Sequence, residues 1–277
     1  MSDAVVTVDT GTETLLCTIE QRVATITLNR PEARNALSDE LTPALRAQLA
    51  AMGDDDRVGA IVVTGTGTAF CAGGDIKSMG QSGIGSKPMT PAARRSQLKV
   101  RQRTLTGRLM ALRKPTIAAL PGPAAGAGLS IALACDMRIA ARSAFVTTGY
   151  ARIGLSGDYG IAWNLTRLVG TARARGLMFT GERGDAERCE RLGLVNRVVD
   201  DDALRTETTT LARALANGPG AAFAAMKDNL DDALEIDFLR ALDREAERLI
   251  GVSAHPHHRE AIAAFIEKRP PVFDDPV

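Results

Sequence analysis

Thr116-Ile-Ala-Ala-Leu-Pro-Gly-Pro-Ala-Ala-Gly-Ala-Gly128 passes from a short apolar strand, through a turn of small residues, into a helix that runs on to Cys135. A second junction of the same kind lies upstream. There Ala60-Ile-Val-Val-Thr64 is a continuous apolar run, as in a parallel strand covered on both faces, and it leads to Ala69-Phe-Cys-Ala-Gly-Gly-Asp-Ile76. Small residues at both turns let a ligand approach the backbone closely. A helix N-terminus leaves N–H groups unpaired and carries partial positive charge, so it suits a developing anion. Two such peptides aimed at one oxygen make an oxyanion hole. Taken without further context, both junctions are also readable as plain tight turns of an α/β fold.

Working outward, Val23-Ala-Thr-Ile-Thr-Leu28 alternates and is rich in β-branched residues, which predicts a strand. Ser38 caps a predicted helix with Leu41, Leu45, Leu49 and Met52 on one face, although Pro43 sits late for a helix start. Residues 78–92 are rich in Gly, Ser and Pro and read as a loop, and helical spacing returns from Leu98 to Leu112. Met137 to Ala140 and Phe145 to Thr148 read as strands. Beyond about 161 helices dominate, interrupted by an edge strand in Leu194-Val-Asn-Arg-Val-Val199. The expected fold class is α/β: a core over residues 1–200 of strand–strand–helix units, with a helical region over 201–277 for oligomerisation or for covering the active site.

Composition narrows the function classes. Lys+Arg (34) and Asp+Glu (33) nearly cancel, so neither a nucleic acid nor a membrane surface is an expected partner. Aromatics are 4% of the chain, too few for base-stacking platforms. No apolar run reaches membrane-spanning length, and the first twenty residues hold none suited to a signal peptide. Cys17, Cys71, Cys135 and Cys189 lie far apart, which predicts reduced, mostly buried thiols and a cytoplasmic protein.

Several familiar chemistries fail on spacing. Gly126-Ala-Gly128 has Ile131 where a dinucleotide fingerprint needs its third glycine, and no P-loop is present. The histidines are His255, His257 and His258, beside Pro256 near the C-terminus. They read as a solvated helix start, with no metal expected, and their distance from the α/β core removes a Ser-His-Asp hydrolase.

Four motifs in order carry a resemblance: Ile26-Thr-Leu-Asn-Arg-Pro-Glu-Ala-Arg-Asn-Ala-Leu37, Phe70-Cys-Ala-Gly-Gly-Asp75, Pro121-Gly-Pro-Ala-Ala-Gly-Ala-Gly128 and Cys135-Asp136, with the tail Glu267-Lys-Arg-Pro-Pro-Val-Phe273 similar too. From about residue 15 to 273 the chain resembles the enoyl-CoA hydratase/isomerase (crotonase) family. The resemblance implies a spiral of ββα units, assembly as a homotrimer or dimer of trimers, and an acyl-coenzyme A thioester substrate whose enolate is held in an oxyanion hole. It places the oxyanion donors on the backbone N–H of Ala72 and of Ala127, with Gly126 and Gly128 as adjacent alternatives to the second. Coenzyme A would lie along Arg34 and Ala36, its adenine edge against the backbone of Gly73, Gly74, Asp75 and Ile76. No separate cofactor is implied, because coenzyme A is part of the substrate.

The chain departs from the family's hydratases. Their two glutamate positions fall on Ser130 and Gly149, and neither is a carboxylate. Water addition needs one group to activate water while another protonates the enolate. Ile153-Gly-Leu-Ser-Gly-Asp-Tyr-Gly160, followed by Trp163, is instead similar to the segment carrying the single aspartate of certain family isomerases, and it maps that aspartate to Asp158. Leu155, Ile161 and Trp163 are expected to give Asp158 apolar surroundings that raise its pKa. One carboxylate suits a proton shuttle, so double-bond isomerisation, or isomerisation of an oxepin-type ring, is the expected reaction. The alternatives are an enoyl-CoA hydratase with a changed catalytic set, another family reaction such as thioester hydrolysis or dehalogenation, and a silent acyl-CoA-binding homologue.

Overall fold

The computed structural model describes residues 4–75 and 89–273. Ile76 and most of the loop expected at 78–92 therefore lie outside the described residues. The strands are β1 (Val6–Val8), β2 (Leu15–Glu20), β3 (Val23–Leu28), β4 (Ala60–Gly65), β5 (Thr116–Leu120), β6 (Ala124–Ala125), β7 (Met137–Ala141), β8 (Phe145–Thr147), β9 (Gly184–Asp185) and β10 (Arg197–Val199). The larger sheet has the order β1-β2-β3-β4-β5-β7-β10, and β6-β8-β9 form a small second sheet. Pairing is antiparallel from β1 to β3 and parallel from β3 through β4, β5 and β7 to β10, so β10 is the edge strand expected near 194–199. The β2–β3 turn, Gln21-Arg22, has φ of 47° and 66°. Two positive φ values are what a two-residue hairpin needs, but no Asn-Gly or Asp-Gly announces it.

Helix α1 (Leu41–Asp54) buries Leu41, Leu45, Leu49 and Met52 against β2 and β3, the predicted face. Ser38 Oγ accepts the Leu41 N–H at 3.0 Å. Pro43 is the third helical residue, still within the first turn, where an N–H has no partner inside the helix and its loss costs little. Helix α2 (Pro91–Thr104) starts earlier than expected, with Thr90 Oγ1 accepting the Ala93 N–H, so 91–92 are helical and not loop. At Leu105 the chain breaks and restarts as α3 (Thr106–Ala111).

Helix α4 (Ala127–Ala134) is buried at every residue and packs against α3 and α5 (Ile161–Thr180). Short α6 (Ala186–Arg191) braces β8–β10, and α7 (Leu204–Ala216) lies across β3, β4, β5 and β7. The four cysteines are free and buried. Among the described residues no helix is long and apolar enough to cross a membrane.

The last helices, α8 (Gly220–Asp232), α9 (Phe238–Ser253) and α10 (Pro256–Glu267), pack mainly on one another. The spacing of Leu234, Phe238, Leu242 and Leu249 predicts that the C-terminal helices bury them on one face; in the single chain they are exposed, Phe238 at 74%. The reason is that the main packing of α9 is on α8 and α10, which leaves its apolar stripe uncovered among the described residues. The histidine cluster also differs from the expected solvated start. His255 caps α10, accepting the His257 N–H on Nδ1 at 3.2 Å, while His257 is buried with its ring 5.0 Å from that of Phe273.

The two small-residue turns are pressed together. The Phe70 and Cys71 N–H groups both donate to the Pro123 carbonyl at 3.1 Å, and the Ala125 N–H returns to the Cys71 carbonyl at 2.9 Å. A Cβ on Gly128 would lie 2.3 Å from the Cys71 carbonyl oxygen and 2.7 Å from Cys71 Cβ. In an ordinary helix Gly→Ala gains up to about 1 kcal/mol. Here overpacking dominates, and Gly128→Ala should lose about 1–3 kcal/mol of stability, read from urea unfolding midpoints. A more stable variant would refute this close approach.

Candidate active site

The first half of the site is sewn by Asn35, which is fully buried in the left-handed region at φ 57°. Its Oδ1 accepts the Arg30 N–H at 2.9 Å, and its Nδ2 donates to the Thr66 and Ala69 carbonyls at 3.0 and 2.8 Å. This holds the 30–37 loop beside the Gly-rich turn. The Leu37 N–H then donates to the Gly73 carbonyl (2.8 Å) and the Asp75 N–H to the Leu37 carbonyl (3.1 Å). Arg30 ties the ends, donating to the Ala36 carbonyl at 2.7 Å and pairing with Asp75 at 3.3 Å.

The expected coenzyme A residues Arg34, Ala36, Gly73, Gly74 and Asp75 are thus brought together, but with different capacities. Arg34 is exposed, and among the described residues its guanidinium makes no ion pair. Ala36 is buried, its N–H given to the Ala33 carbonyl and its own carbonyl to Arg30. The Asp75 N–H is likewise spent on Leu37.

One sequence assignment needs correction. The Ala72 N–H, expected as an oxyanion donor, donates to the Arg34 carbonyl at 3.0 Å. It is committed to holding the loop against the turn. Among the described residues the Gly74 N–H makes no hydrogen bond, which leaves it as the open donor of this turn. Ala127 is the first residue of α4, its N–H without an acceptor among the described residues, after Gly126 in a conformation (φ 51°, ψ −124°) closed to other residues. The turns meet here: a Cβ on Gly73 would lie 3.6 Å from the Ala127 nitrogen and 2.9 Å from the Ala125 oxygen.

The second half of the site is carboxylate chemistry. Asp158 is half-buried in the loop that follows the 3-10 turn Tyr150–Ile153. The Tyr150 hydroxyl donates to Asp158 Oδ1 at 2.5 Å. Ser130 of α4, fully buried, lies 3.4 Å from the Tyr150 hydroxyl and donates toward the Asp158 and Gly126 carbonyls, both at 3.2 Å. Tyr150 also borders the other half, since a Cβ on Gly126 would come within 3.9 Å of its ring. So the lone carboxylate, the buried serine and the Ala127 donor form one contiguous cluster. Gly149, in the left-handed region, contributes no side chain.

Burial raises the Asp158 pKa above the usual carboxylate range, opposed by the Tyr150 hydrogen bond. Burial, then the Asp158 charge, pushes the Tyr150 phenol far above its ordinary value. The apolar neighbours differ from expectation: Ile161 is buried and borders Gly157, but Leu155 and Trp163 are exposed. Trp163 faces outward on α5, with the Arg167 guanidinium 3.7 Å over its ring. The desolvation therefore comes from within the fold, from Tyr150, Ile161 and α4.

Tyr150 was not singled out from the sequence. Its signal is composition, since the chain has two tyrosines and both, Tyr150 and Tyr159, flank Asp158. Tyr159 is buried and its N–H donates to Gln102 Oε1 of α2 at 2.8 Å, which pins the loop.

Turns converging on one point, in a ββα spiral with a helical C-terminal region, define the crotonase fold class. The chain matches the sequence profile of the enoyl-CoA hydratase/isomerase family over residues 18–276. It is 37% identical over 263 residues to the 1,2-epoxyphenylacetyl-CoA isomerase of Escherichia coli K12, covering 94% of this chain and 98% of that one. The enoyl-CoA hydratase of Polaromonas sp. JS666 superposes with a TM-score of 0.85 at 33% identity, covering 94% and 99% of the two chains. That of Bacillus anthracis superposes at 0.84 with 30% identity, covering 97% and 98%. The protein belongs to the enoyl-CoA hydratase/isomerase family and is an enzyme of that family.

The Asp158 shift has a consequence for stability. A carboxyl whose folded pKa exceeds its unfolded value stabilises the fold when protonated, and that contribution is lost as pH rises through the folded pKa. Ionised Asp158 therefore costs stability at neutral pH, and Asp158→Asn should melt higher than wild type at pH 7. The gap should close below about pH 4, near the unfolded carboxyl value. A lower melting temperature for the variant at pH 7 would contradict the burial argument.

Proposed function

We propose that the protein isomerises the double bond of an enoyl-CoA thioester, with Asp158 as the proton shuttle. The observation that carries this reading is the half-buried Asp158 carboxylate, linked through Tyr150 and Ser130 to the peptide of Gly126, next to the Ala127 donor. The thioester oxygen would accept from the Gly74 and Ala127 N–H groups. Asp158 removes a proton from C2 of a 3-enoyl thioester. The C2–H electron pair forms C1=C2 and the carbonyl π pair moves onto oxygen, giving a dienolate in which C3=C4 is retained until C4 is protonated and C2=C3 forms. The donors hold the negative oxygen. The same carboxyl then returns its proton at C4, leaving the 2-enoyl isomer with no net gain or loss of atoms. Water is not consumed, which fits a site with serine and glycine at the positions matched to the hydratase glutamates.

Coenzyme A would run along Arg34, whose free guanidinium suits a phosphate, with the adenine edge on the Gly73–Asp75 backbone. The E. coli relative named 1,2-epoxyphenylacetyl-CoA isomerase supports an isomerase assignment, and a strained-ring acyl-CoA is a second substrate to test. Wild type should convert a 3-enoyl-CoA to its 2-enoyl isomer faster than it hydrates a 2-enoyl-CoA, followed by mass spectrometry. Asp158→Asn should slow isomerisation by at least about 10²-fold. Ala127→Pro, at a helix position where proline is tolerated, should cost about 10²–10³ in kcat while free coenzyme A binding stays near wild type. Robust hydration untouched by Asp158→Asn would end the isomerase reading, and inertness toward every acyl-CoA would point to a silent binder.

Assembly as homotrimers or dimers of trimers is proposed on the uncovered apolar stripe of α9 and on Phe265 of α10, exposed at 85%. Soluble monomers rarely present so large an apolar face. Light scattering at micromolar concentration should report three or six chains, and a monomer would refute this.

A further inference from the structure

Asp158 has two oxygens, and the structure treats them differently. Oδ1 accepts the Tyr150 hydroxyl at 2.5 Å, while Oδ2 has no hydrogen-bond partner among the described residues. The phenol has a choice of acceptors, because Ser130 Oγ lies 3.4 Å away. The carboxylate is nearer and charged, and such O–H···O⁻ bonds are the shorter and stronger kind. Ser130 in turn faces two carbonyls at 3.2 Å, Gly126 and Asp158, and has one proton to give. Its proton goes to the backbone, and the Tyr150 proton goes to Asp158.

We infer that Tyr150 is a positioning residue that divides the work of the Asp158 carboxylate, fixing Oδ1 as a permanent acceptor so that Oδ2 alone carries the migrating proton. This rests on the reading of Asp158 as the shuttle. A free carboxylate delivers a proton from either oxygen and spins between the two. With Oδ1 held, the proton taken from C2 stays on Oδ2, and only Oδ2 returns it at C4. The phenol keeps its own proton throughout, because its ionisation is suppressed by burial and by the neighbouring carboxylate. Tyr150 is buried and its ring lies against Gly126, so the phenol oxygen is held in place beside Asp158 Oδ1, its nearer and charged acceptor. Ser130 ties the Asp158 backbone to Gly126, the residue before the Ala127 donor. The proton carrier and the oxyanion donor are thereby referenced to one peptide.

Other titratable groups nearby act elsewhere. Arg46 of α1 and Arg101 of α2 bear on the phenol of Tyr159, not on Asp158. The Asp158 balance is burial against the Tyr150 hydrogen bond. Removing that bond should therefore let the carboxyl hold its proton to higher pH.

Tyr150→Phe deletes one oxygen and keeps the ring, so the fold should be retained. Asp158 can be titrated without substrate by difference infrared spectroscopy of its carboxyl band, with Asp158→Asn as the blank. In Tyr150→Phe the protonated band should persist to higher pH than in wild type, and the acid limb of the kcat/KM profile should move the same way. kcat should fall about 10- to 100-fold, the worth of one charged hydrogen bond, with KM within about twofold. An unmoved titration, or a uniform loss of kcat at every pH with unshifted limbs, overturns the assignment and leaves Tyr150 as packing. The infrared titration needs no turnover. A wild type without isomerase activity therefore overturns the shuttle reading but not the hold on Oδ1. An active wild type whose Asp158 titration ignores Tyr150→Phe overturns the Tyr150 assignment alone.

Discussion

Two turns from different strands meet largely through their main chains, with the small Cys71 side chain against Gly128. The Phe70 and Cys71 N–H groups share the Pro123 carbonyl, Ala125 answers to Cys71, and Gly128 passes the Cys71 carbonyl with no room for a methyl group. Each contact is a backbone hydrogen bond or a close approach that only small residues permit. Because the clamp is largely main chain, it ties the turn that carries Gly74 to the turn that carries Ala127. An oxyanion site depends on the spacing of its donors, since they must be aimed before charge develops. The buried α4 and the parallel sheet hold the two turns in place.

Around this fixed element the acid is supplied by a different device. Asp158 stands on an irregular loop, and Tyr150, Ser130 and Gln102 hold it or its neighbour from three separate elements. Its surroundings raise the cost of ionisation, and a single short hydrogen bond offsets part of that cost. The division is physically sensible: on the proposed reading, the oxyanion half would be backbone, while the proton-transfer half would consist of side chains outside the clamp. A family that shares a fold yet includes proteins named as hydratases and as isomerases fits such a partition.

The C-terminal helices follow another logic. Helix α7 is part of the packing of the main sheet, whereas α9 buries no residue fully and turns a row of leucines and a phenylalanine outward. Amphipathic spacing identified the stripe but not its exposure, since it led to the expectation of burial and the single chain leaves these residues open. What covers them is a question of assembly, because α8, α9 and α10 offer one another only part of their apolar surface.

Much of the fold was legible because it depends on local pattern. The continuous apolar runs at 60–64 and 116–120, the stripe Leu41, Leu45, Leu49 and Met52, and the glycines of both turns determine the strands, the first helix and the close approach. The same residues carried the family resemblance. Other features were decided only in three dimensions. The β2–β3 hairpin turns on Gln21-Arg22, held at positive φ by strand pairing and not by local preference. Ala72 and Gly74 are indistinguishable as donors in a string of small residues. Their roles separate only when the Arg34 carbonyl arrives to take one N–H and leave the other. Tyr150 became part of the site because the α4 N-terminus and the 154–160 loop converge on its hydroxyl. Periodicity records which residues face a core, but a hydrogen bond depends on where two distant backbones stop, and only the folded chain sets that distance.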